Sequence, residues 1–259
     1  MDEKKLVQEF VSQKTLYIVK SNLTRLTYIY CNPDTMDDEA GLFYTEEDAR
    51  SEVAALILKG EPVEVATVEQ KGYLEFFAEL STMGVNSVKM VREQKETHVS
   101  LDAFVRQQDM SKIPENKRPP ENKALYLTML YYLQEARKGE EKRDMAKLEE
   151  LNEELMAGVA RGRFLLPMQP GKMVGGKLES QVQLLKLSND AMVFPIFTDT
   201  VAAGKFTGPT KTPLFPVTVS NLLQNIAKMN VKGALLNPGG LGFYMPVELM
   251  KQAVSMFED

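Results

Sequence analysis

The chain repeats itself, and the repeat constrains the fold more than any single motif, because a duplicated unit fixes how many cores the chain must build. Leu42-Phe-Tyr-Thr-Glu-Glu-Asp-Ala49 resembles Pro195-Ile-Phe-Thr-Asp-Thr-Val-Ala202: an apolar run, a threonine with an acidic residue, then helix-compatible residues. Pro62 to Val68 and Pro213 to Val219 are both proline-led apolar segments ending in Thr-Val. Phe76 to Met90 then matches Leu222 to Leu236, each reading as helix, turn and strand, and Val99 to Phe104 falls on Met245 to Met250. The last two blocks keep one offset of 146 residues, whereas the earlier ones sit at 153 and 151, which places small insertions before Pro62 and before Met83.

The expected architecture is therefore α+β: two tandem related units, about residues 14–106 and 162–259, each a mixed sheet with packed helices. In both, the second helix is expected to pack on its sheet, through Phe76, Phe77 and Leu80 or through Leu222, Leu223 and Ile226. Gln107 to Asn122 holds three prolines, which oppose helix and ladder alike, and reads as the linker. A helix is expected over 123–138, with Gly139 as its stop. A second follows, with Met145, Leu148, Leu151, Leu155 and Val159 as its apolar stripe. Charge separates the units, whose balances are −6 and +3.

Composition excludes much chemistry. One cysteine, Cys31, allows no internal disulfide, and one histidine, His98, leaves no Cys/His set for a structural zinc. The net charge of −5 gives no general footprint for nucleic acid. No stretch approaches the roughly 20 apolar residues that cross a bilayer, and the charged amphipathic start, MDEKKLVQEFVSQK, is unlike a signal peptide. The expectation is a cytoplasmic protein with no membrane or nucleic-acid partner, no cofactor and no metal.

The succession Val193-Phe-Pro-Ile-Phe-Thr-Asp199, Pro213 to Val219, Lys232-Gly-Ala-Leu-Leu-Asn-Pro-Gly-Gly240 and Phe243-Tyr-Met-Pro-Val-Glu-Leu249 resembles the N-terminal domain of the enhanced serine sensitivity (SseB) family. The resemblance covers residues 145–257, with a diverged second copy in about 1–106 that carries Arg92-Glu-Gln-Lys95 where the later one has Pro238-Gly-Gly-Leu241. It implies a bacterial cytoplasmic α/β domain with no catalytic residues to carry over. The domain division that follows is 1–107 for the diverged unit, 108–139 for linker and connecting helix, and 140–259 for the SseB-like unit.

Five residues are candidate contacts for a ligand or partner: Thr198, Asp199, Asn237, Gly239 and Gly240. Paired glycines can turn backbone N–H groups outward into an anion-binding nest, and they equally suit a tight turn with positive φ. Thr198 and Asp199 stand where a strand becomes a helix, as do Thr45 to Asp48, so capping competes with ligand contact. Cys31 lacks a local cation to lower its pKa and reads as an inert, partly buried thiol. His98 reads as a solvent-facing residue of an edge strand. Gly171 to Lys177 is glycine-rich but reads as a hairpin connection, since a strand-like segment follows it.

No nucleophile-and-base pair is assembled in this sequence. The favoured function is a non-catalytic interaction or ligand-sensing protein, with a small molecule or another protein as its unidentified partner. The competing one is a small-molecule enzyme that uses carboxylates and backbone donors near Asp199 and Gly239.

Overall fold

The computed structural model describes residues 3–106, 112–114, 117–169, 171, 173–174, 177–178, 181–207 and 212–257. The chain divides into two compact units, Met1–Lys112 with Leu133–Asp144, and Ile113–Tyr132 with Met145–Asp259. Residues 107–111, 115 and 116 of the expected linker lie outside the described residues.

The first unit runs α1 (Glu3–Val11), β1 (Thr15–Ser21), β2 (Ile29–Cys31), β3 (Asp38–Phe43), α2 (Glu46–Leu58), β4 (Val63–Glu69), α3 (Tyr73–Met83), β5 (Ser87–Arg92) and β6 (Lys95–Ser100). Its sheet has the order β4-β1-β3-β5-β6, with β2 also on β3. β3 and β5 are parallel and the other pairs antiparallel. Side chains alternate across a strand, so Phe43 and Val91 face one way and pack with Ala49 and Leu56 of α2. Met90 faces the other way and lines a cleft with Leu6 and Phe10 of α1.

Two helices follow, α4 (Lys123–Ala136) and α5 (Met145–Arg161). α4 ends before Gly139, which instead precedes a short 3-10 turn, Glu140–Lys142. α5 buries Leu151, Leu155, Met156 and Val159, while Met145, expected in the apolar stripe, is exposed because it opens the helix.

The second unit continues with β7 (Phe164–Gln169), β8 (Met173–Val174), β9 (Lys177–Leu178), β10 (Gln181–Val182), β11 (Leu185–Lys186), β12 (Met192–Ile196), α6 (Thr200–Thr207), β13 (Leu214–Val217), α7 (Val219–Met229), β14 (Gly233–Leu236), β15 (Phe243–Pro246) and α8 (Val247–Ser255). Strand orders are β10-β7-β13 and β11-β12-β14-β15. Reciprocal backbone bonds of 2.9 Å between Leu165 and Phe197 link β7 to the end of β12. β12 and β14 are parallel, and β14 and β15 antiparallel. β8 pairs with β9 as the glycine-rich segment's hairpin; Gly175 and Gly176 between them lie outside the described residues.

Both units thus place one parallel strand pair beside an antiparallel hairpin, with a helix after the first parallel strand and another before the second. The helices before β5 and β14 bury Phe77, Leu80, Leu222 and Ile226, while Phe76 and Leu223 are half-buried at the margin. Val88 and Ala234, which lie 146 apart, have as parallel partners Ala40 and Phe194. That register sets β12 a distance of 154 residues after β3 and aligns Thr45 with Asp199, one residue off the sequence alignment.

Candidate functional site

The strand β12 ends at Ile196, and the chain must cap α6 within three residues. Asp199 does so: its Oδ1 accepts from the backbone N–H groups of Val201 and Ala202 at 2.8 and 2.9 Å, which satisfies two of the orphan donors of the first turn. Its Oδ2 accepts the Thr198 hydroxyl at 2.6 Å. From the end of the neighbouring strand, Asn237 supplies the third member. Its Oδ1 accepts the Thr198 N–H at 2.9 Å, and its amide donates to Thr198 Oγ1 at 2.9 Å. All three side chains are buried, at 0% exposure for Thr198, 4% for Asp199 and 1% for Asn237. The structure brings these three candidates together and uses their side-chain polar atoms on one another and on the first turn of α6.

Gly239 and Gly240 lie beside them on the exposed turn. The Gly240 N–H closes that turn on the Asn237 carbonyl at 3.0 Å, and the Gly242 N–H reaches the same oxygen at 3.1 Å. With Pro238 at its second position and Gly239 at φ +84°, the turn has type II character. Gly240 is not in the left-handed region. Its N–H points into the turn, away from the outward orientation a nest requires.

A Cβ on Gly239 meets no atom within 4 Å, so Gly239→Ala is expected to cost only the backbone term, about 1 kcal/mol. Gly240→Ala is expected to change stability by less than about half of that, having ordinary φ and contacts no closer than 3.5 Å. Equal losses in urea melts of the two variants would contradict this assignment.

The first unit ties the same junction in the opposite direction. Thr45 caps α2 by accepting from the Asp48 N–H at 3.2 Å, and its hydroxyl donates to Asp48 Oδ2 at 2.8 Å. The Asp48 carboxylate accepts the N–H groups of Glu93 and Gln94 at 3.2 and 3.1 Å. Those two residues form the β5–β6 reversal with φ +51° and +62°, the conformation of a two-residue hairpin that normally asks for Asn or Gly. Here the helix start holds the turn, whereas in the second unit the turn's asparagine holds the helix start.

Sequence reasoning missed the polar face of the first sheet. Glu39, fully buried on β3, is contacted by His98 Nδ1 at 2.8 and 3.0 Å and accepts the Ser87 hydroxyl at 3.0 Å. On the same face Lys89 donates to Glu52 of α2 at 2.9 Å, lies 3.7 Å from Glu96, and sits 4.3 Å from the centre of the Tyr30 ring. The equivalent register positions for Glu39, Ser87, Lys89 and His98 in the second unit are Val193, Gly233, Leu235 and Tyr244. The one available signal was the charged Lys89 inside the otherwise apolar run Val88 to Val91. His98 is thus exposed, as expected, yet not without a partner.

Cys31 is exposed rather than partly buried, because β2 is a short strand outside the main sheet order. It pairs with Asp38, two strands away from His98 and on the opposite face by alternation, so thiol and imidazole do not meet. Among the described residues no group of three or more His, Cys, Asp or Glu side chains is placed to hold a metal ion. No helix among them is long and apolar enough to cross a membrane.

Burial, followed by the charge of Glu52, raises the pKa of Tyr30 well above its ordinary value, and burial followed by Glu61 does the same for Tyr28. Tyr73 is pushed up to about 12, by burial first and Glu69 second. Since the unfolded chain ionises its tyrosines near pH ~10, these groups hold more protons in the folded state. Their stabilisation is complete below about pH 10 and is lost as pH rises through the folded values. Urea midpoints are expected to be flat from pH 8 to 9 and to fall steeply by pH 11; a Tyr30→Phe variant should fall less steeply.

Residues 134–252 match the family model described as the SseB protein N-terminal domain, a span that begins 11 residues before and ends 5 before the resemblance read from sequence. Among solved structures, Tic22 from Plasmodium falciparum aligns with 83% of this chain and 84% of its own at 11% identity and a TM-score of 0.24. Anabaena Tic22 (protein transport) aligns with 89% and 88% at 11% identity and a TM-score of 0.22. No curated protein matches.

Proposed function

We propose that this chain, with an SseB protein N-terminal domain over residues 134–252, is a non-catalytic interaction or ligand-sensing protein of the bacterial cytoplasm. In this proposal it is built from two related copies of one α+β unit, the first of them diverged, joined through the segment around 108–139. The parallel pairs β3–β5 and β12–β14, each continued by an antiparallel hairpin strand, support the duplication.

The observation that carries the functional reading is the closed network of Thr198, Asp199 and Asn237. Their donors and acceptors cap a helix and join two strand ends, so none of these three side chains presents an acid or base to a substrate. Contact with a small molecule or protein then falls to the exposed Gly239 and Gly240 at the rim of that network.

A thermal-shift screen of the full chain against metabolites tests this. A sensed ligand at a hundredfold excess over its Kd should stabilise the protein by about 2.7 kcal/mol and be recovered unchanged. Gly240→Asp should abolish that gain while Gly239→Ala keeps it. Conversion of any hit to product, lost on Asp199→Asn in a variant that remains folded, would overturn the proposal in favour of an enzyme acting near Asp199 and Gly239.

A further inference from the structure

We draw no further inference here: the strongest candidate, the side-chain cluster of Glu39, Ser87, His98, Lys89 and Glu52 on the α2-facing side of the first sheet, has both of its carboxylates already meeting side chains of the protein, so nothing in the structure shows what ligand it would take.

Discussion

Gly233→Ala is expected to destabilise the second unit by about 3–5 kcal/mol, from backbone strain and overpacking acting together. Gly233 opens β14 with φ +152°, at the edge of the region that L side chains rarely adopt. A Cβ built there overlaps the Met245 carbonyl oxygen and lies 3.0 Å from the Pro246 Cα, both belonging to the paired strand. Backbone atoms held in a ladder cannot swing aside as a flexible side chain would. Relief requires β14 and β15 to separate at the Gly233–Pro246 pair, from which α8 departs. The chain has no tryptophan, so unfolding is best followed by circular dichroism in urea. A loss below about 1 kcal/mol would show that this strand pair relaxes easily and would refute the steric account.

Asn237→Ala is expected to cost about 3 kcal/mol, through chemistry rather than sterics. The change strands the buried Thr198 N–H, whose partner is Asn237 Oδ1, and removes the amide donor to Thr198 Oγ1. An unsatisfied buried donor alone costs about 1–3 kcal/mol. Asn237 also holds φ +50°, which asparagine tolerates better than alanine by roughly 1 kcal/mol. Asn237→Gly separates the contributions, because it keeps the hydrogen-bond loss and removes the backbone strain. It should therefore lie between wild type and Asn237→Ala in urea midpoint. If both variants melt like wild type, the Thr198–Asp199–Asn237 network is not what ties α6 to the β14–β15 turn. Both units unfold in the same experiment, so the result must be read from the transition assigned to the second unit and not from one overall midpoint.

What the sequence by itself determined was local and serial. The order of strands and helices, the threonine and aspartate at helix starts, and the reversal around Gly239 follow from periodicity, capping chemistry and turn residues. These signals act over a few positions, so they survive being read without contacts. The resemblance to the SseB domain rested on the same serial order, and the family match over residues 134–252 agrees with it.

Only the tertiary structure decided which side chains meet. Thr198 and Asn237 are 39 residues apart, and their pairing depends on β12 and β14 being parallel neighbours in one register. Glu39 and His98, 59 apart, meet because Glu39 sits beside Ser87 across the parallel pair while His98 follows on the next strand. A slip of one residue would turn each strand's side chains to the other face, which is why the histidine that reads as solitary in sequence has a buried carboxylate as its partner. Even the alignment of the two units shifted by one residue once pairing, rather than similarity, set the offset. Composition and spacing do not encode register directly; it emerges from packing both sheet faces at once, and the chemistry of this protein's polar groups is settled there.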